Sequence, residues 1–200
     1  MTIRTILVYP EHRAELRHKS EPVNKINHQV RRLIRDLQET LQASEDGIGL
    51  AAPLINFHQR VVIVCLGIES DGKWQKGTPE ALINPQIIVM SDERKDFDGC
   101  LSFPGLYGEI VRPHRLRVVG MNEQDQPFDR LFEGFNAVVV HHEMDHLDGV
   151  LFIDRIESVN DLYAIRENER GEIVKVPYAN ILSEHENSGN AGAFIGGDRA

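Results

Sequence analysis

The chain has 200 residues, enough for one domain with a full hydrophobic core, and its 41% hydrophobic content is ordinary for a globular protein. A net charge of −9 argues against a nucleic-acid partner, and no apolar run reaches the roughly 18 residues a membrane span needs. Two cysteines, Cys65 and Cys100, do not make a disulfide framework, and the N-terminus lacks the layout of a secretory signal or transit peptide, so a reducing cytoplasm is the expected setting.

Residues 3–9 form a short apolar run ended by Pro10. Residues 24–43 predict a long amphipathic helix, because Ile26, Val30, Leu33, Ile34, Leu37 and Leu41 share one face and Asn24 is placed to cap it. Residues 44–49 read as loop, with Gly47 and Gly49 suited to a helix C-cap and turn. Short strands are expected over 60–66, 87–90, 115–121 and 128–132, with Asp71-Gly72 and residues 122–127 as hairpin turns between some of them. Cys65 falls inside an apolar strand and reads as a small buried hydrophobe. A second helix follows, on which Phe135, Val138, Val139, His142 and His146 trace one face and Asp148-Gly149 supplies the stop. Helix, several strands, helix is the order of an α+β fold. From about residue 166 charged residues dominate, and residues 188–197 are rich in Gly, Ala and Asn. The expected division is a single domain over 1–165 and a charged, Gly-rich extension over 166–200, read as a mobile tail.

The second helix carries the chemistry. His142-Glu143-Met144-Asp145-His146 spells H-E-x-x-H. Positions i and i+4 stack on one helical face, so both imidazoles can reach one ion, and Glu143 is near enough to hold a water without ligating. The bland alternative is a pair of core histidines. His141 points elsewhere on the helix and is expected in solvent or behind the ligands. A catalytic site of this type needs a third protein ligand. The H-E-x-x-H-x-x-G-x-x-H extension fails, because Phe152 stands where the last histidine would be. A glutamate on a later element, Glu167 or Glu169, would make a gluzincin-type peptidase. Cys100, within Asp98-Gly99-Cys100-Leu101-Ser102, is the remaining candidate.

With that segment the chain resembles the peptide deformylases, whose motifs GxGLAAPQ, EGCLS and HEMDH occur in this order. Here they read Gly47-Ile48-Gly49-Leu50-Ala51-Ala52-Pro53-Leu54, then the Asp98–Ser102 segment, then the His142–His146 helix. Tyr9-Pro10 and Pro22-Val23 extend the similarity, which covers roughly residues 3–156. The resemblance implies antiparallel strands packed around a buried metal-binding helix. It implies one divalent ion, Fe(II) or else Zn(II), Ni(II) or Co(II), on Cys100, His142 and His146, with Glu143 as acid/base. The implied substrate is the formyl group on the N-terminal methionine of a nascent peptide. Gly47, Ile48 and Gly49 would let a peptide backbone approach as an added strand, and Val138 would line a methionine pocket. In some members a basic C-terminal helix is associated with the ribosome; this tail is mixed to acidic and does not carry that pattern.

Two positions depart from the family. Asp98 replaces Glu and keeps the charge. Leu54 replaces the Gln whose amide, together with the backbone N–H of Leu101, stabilises the oxyanion in the family, and leucine has no donor. Three readings follow. The chain is a slow deformylase that relies on the metal and Leu101; or a water, or backbone near Gly49, replaces the donor; or it is a degenerate paralogue that binds without turnover or takes another substrate. The intact metal residues favour a hydrolase of altered strength.

Overall fold

A computed structural model of the protein describes residues 2–70, 73–167 and 171–180. The Asp71-Gly72 turn, Glu169 and the run 188–197 lie outside these residues. A short helix α1 (Arg13–Leu16) precedes α2 (His28–Ala43), whose apolar stripe from Val30 to Leu41 is buried against the sheet. The cap of α2 is Asn27, not Asn24. Its side-chain oxygen accepts from the N–H groups of Gln29 and Val30 at 2.9 and 3.1 Å, satisfying two amides of the first turn.

The strands are β1 (Gly49–Ala51), β2 (Val61–Val64), β3 (Ile68–Ser70), β4 (Lys73–Gln75), β5 (Glu80–Gly99), β6 (Leu106–Met121), β7 (Pro127–Glu133), β8 (Leu162–Glu167) and β9 (Ile173–Pro177). A seven-stranded antiparallel sheet runs β1-β2-β5-β6-β8-β9, with β7 also paired to β6; β3 and β4 pair separately. Strand β6 serves three neighbours. It meets β5 along most of its length, β7 through Arg115–Met121 and β8 through Leu106–Gly108.

Helix α3 (Phe135–Leu147) packs against β1, β2, β6 and β7 and is buried on every side from Ala137 to Leu147. The single inward stripe expected from its spacing is therefore too narrow: its polar residues are buried with its apolar ones. The sheet also continues past Ile165. The boundary drawn there passes through β8, and β9 pairs with β8 from Tyr163↔Pro177 to Glu167↔Ile173. Val174 and Val176, spaced by two in a charged stretch, are half-buried, so the start of the extension is sheet.

Candidate metal centre and substrate pocket

Glycines bound the metal helix. Gly134 sits at its N-cap with φ 57°, and Gly149 follows its C-cap with φ 70°, where its N–H bonds to the His146 carbonyl at 3.2 Å. A Cβ at 149 would also overlap the Arg17 carbonyl, so space and backbone both demand glycine. Between these ends His142 and His146 lie one turn apart and present Nε2 to each other at 3.1 Å. Cys100, just past the end of β5, brings Sγ to 3.3 Å from His146 Nε2. The three ligand atoms lie within 4.8 Å of one another. Two imidazoles and a thiol converging at this spacing fit a divalent ion of the Fe(II) or Zn(II) kind.

A buried polar network stands behind the ligands. His142 Nδ1 lies 2.9 and 3.0 Å from the two Asp98 oxygens, so this nitrogen carries the proton and Nε2 is left to the centre. Arg112, 0% exposed, donates to Asp98 Oδ2 from Nε at 3.0 Å and from Nη2 at 2.8 Å. Its Nη1 pairs with Asp145 and donates to His141 Nδ1 at 2.7 Å. Arg155 clamps Asp145 with two bonds of 2.6 Å. Burial opposes charge on Asp98, but His142 and Arg112 outweigh it and hold the carboxyl well below the usual range. Burial also opposes charge on His142, yet Asp98 and Cys100 raise it well above the ordinary value. Burial lowers His141 to about 4, consistent with a neutral ring accepting from Arg112. Arg112→Met would remove the guanidinium that both carboxylates share, leaving Asp98 to His142 and Asp145 to Arg155. It is expected to cost about 3–5 kcal/mol, read as a lower urea midpoint, and an unchanged midpoint would show that the network is not holding the fold.

Glu143 faces the same space differently. It is buried, its Oε2 has no hydrogen-bond partner among the described residues, and burial pushes the carboxyl up to about 7. A carboxyl oxygen buried without a protein partner is placed for a water or a reacting group. Gly49 makes the room: a Cβ at 49 would lie 2.6 Å from Glu143 Cγ and 2.7 Å from its Cδ. Gly47 is set by space as well, since a Cβ there would lie 2.8 Å from Leu41. Neither glycine has a positive φ, and Ser44 caps α2, so the C-cap expectation for them does not hold.

Cys100, His142 and Glu143 open on one cavity of about 480 Å³, lined also by Gly47, Ile48, Gly49, Leu54, Leu101 and Val138. All the expected site residues therefore meet here; His146 joins through the ligand cluster rather than the cavity wall. Leu54, in a 3-10 turn over Ala52–Ile55, is 2% exposed and presents no donor. The shorter Asp98 still reaches both His142 and Arg112, so its missing methylene breaks neither contact. His141 is not in solvent but against Arg112. Glu167 is exposed at the end of β8, and the ligand cluster does not include it. The sequence reading missed Arg112, Asp145, Arg155, Phe97 and Tyr107. For Arg112 a signal existed: strand alternation puts it on the face of Ile110, which is buried, once β6 is extended back from residue 115.

A buried H-E-x-x-H helix, a third ligand from an adjoining sheet and a buried glutamate with one unpartnered oxygen beside a peptide-sized cavity define a metal-dependent hydrolase. The family model for polypeptide deformylase matches residues 3–161. Peptide deformylase 1 of Burkholderia multivorans is 41% identical over 160 residues, covering 80% of this chain and 83% of that one. The actinonin complex of peptide deformylase from Ehrlichia chaffeensis superposes with TM-score 0.71 at 33% identity, over 79% of this chain and 91% of that one. The Met-Ala-Ser-bound class I type b peptide deformylase from Acinetobacter baumannii gives 0.70 at 27%, over 78% and 99%. The chain belongs to the polypeptide deformylase family and is an enzyme of that class.

Proposed function

We propose that the chain removes the formyl group from the N-terminal formyl-methionine of nascent peptides and releases formate. The observation that carries this reading is the unpartnered Oε2 of Glu143, beside a cavity that Cys100 and His142 also line. One ion, Fe(II) on the family pattern and Zn(II), Ni(II) or Co(II) on the donor set, would be held by Cys100, His142 and His146 and would polarise the formyl carbonyl and acidify a water. Glu143 accepts the proton of the attacking water and returns it to the leaving amine. The Leu101 N–H donates to the developing oxyanion, and Leu54 adds nothing, which weakens the step. β1 ends the sheet, so the peptide pairs along Gly47, Ile48 and Gly49 as an added strand. Val138 packs the methionine side chain. The Met-Ala-Ser complex of the Acinetobacter relative supports a peptide in this cavity. No helix among the described residues is long and apolar enough to cross a membrane, and the reading places the enzyme in the cytoplasm with nascent chains.

The test is formate release from formyl-Met-Ala-Ser by metal-loaded protein, with metal counted on the same sample and the unformylated peptide run in parallel. Formate with intact peptide bonds is the expected result. Cleavage of the unformylated peptide would replace the reading with a gluzincin-type peptidase. Binding without formate would replace it with a non-catalytic formyl-peptide-binding protein.

A further inference from the structure

The pocket has an outer rim that the metal site does not use. Phe97 and Tyr107, both lining the cavity, stack at 5.2 Å with their planes 9° apart. Tyr163 on β8 lies directly across from Tyr107 in the β6–β8 register, and its ring is 6.4 Å from Phe97. Lys175 on β9 closes the row. Its Nζ is 3.6 Å from the Tyr163 ring centroid and 4.6 Å from that of Phe97, and it is held at 3.2 Å by Glu109. Strand alternation puts these side chains on the outer face of β5, β6, β8 and β9, opposite the face of Asp98, Ile110 and Arg112. The row thus starts inside the pocket and ends in water, with Phe97 still 40% exposed. Its outer half lies beyond residue 161, where the family match ends.

We infer that the β8–β9 hairpin is a substrate-binding element, in which Tyr163 and Lys175 extend the pocket wall into a platform for the peptide residues that follow the formyl-methionine. The inference rests on the deformylase reading. A peptide leaving the cavity past Phe97 and Tyr107 meets the solvent-exposed side of this aromatic row, which favours an apolar or aromatic third residue. Lys175 is a positioning residue: its cation–π contacts to two rings hold Tyr163 and Phe97 in one row while Glu109 fixes the amine.

The experiment compares formyl-Met-Ala with formyl-Met-Ala-Phe. Formate release gives kcat and KM for wild type, Lys175→Ala and Lys175→Arg. Calorimetry gives Kd for the same peptides on metal-loaded Glu143→Gln, with and without Lys175→Ala. Lys175→Ala is expected to raise KM and Kd for the tripeptide about fivefold, the scale of one or two lost cation–π contacts, to leave the dipeptide within twofold, and to be rescued by arginine. Equal KM and Kd in wild type and Lys175→Ala, or the same loss for both peptides, would overturn the inference. No formate from the wild type would instead overturn the deformylase reading, and the calorimetric comparison would still judge the platform.

Discussion

Leu54→Gln is expected to raise kcat for formate release by about 10²–10³, with KM little changed and metal content the same. The magnitude is that of one oxyanion donor, about 2.7–4 kcal/mol. The geometry suits a side-chain exchange. The carbonyl of Leu54 accepts from the Leu7 N–H at 2.7 Å, which pins the 3-10 turn whatever side chain it carries. Leucine and glutamine are close in volume, and the side chain already lines the cavity that Glu143 faces. The amide will cost stability, about 1–3 kcal/mol if part of it stays unpaired before substrate binds. A stable variant with unchanged kcat would show that a water or backbone near Gly49 already fills the donor position.

Glu143→Gln is expected to lower kcat by about 10²–10⁴, the usual contribution of a positioned acid/base, and to leave the metal bound. Glutamine has the same shape and cannot take the water's proton. Because burial already pushes the Glu143 carboxyl up to about 7, a neutral amide is no harder to bury, and thermal stability should not fall. The pair of readouts separates roles: loss of metal on substitution would make Glu143 a ligand, and loss of stability would make it a structural group.

The site was largely legible because its chemistry is local. His142, Glu143 and His146 share one helix, and Cys100 has a distinctive neighbourhood in Gly99, Leu101 and Ser102. Alternation along β6 could have marked Arg112 as inward-facing, but its pairing with Asp145 was not legible, because it exists only after β6 is laid beside α3. The same distinction runs through the fold. α2 repeats its apolar residues at helical spacing and was found, with its cap misplaced by three residues because both Asn24 and Asn27 are competent caps. Of β5 only 87–90 was expected; residues 91–95 are exposed on both faces, so the alternation that marks a half-buried strand is absent there, and Asn84-Pro85 interrupts the buried run before it. β8 and β9 were missed because each carries only a short apolar segment in a charged stretch, and pairing between them makes them strands.

Gly49 bears on whether this chain has kept its chemistry. Its missing side chain and the Glu143 carboxylate occupy one volume, so the two positions form an epistatic pair. A larger residue at 49 is admissible only after 143 has shrunk, and a long acid at 143 only while 49 stays bare. A lineage that had given up its acid/base would lose the steric reason for glycine there and could drift. The bare position at 49 is thus the space that the Glu143 carboxyl fills, and the two positions can change only together.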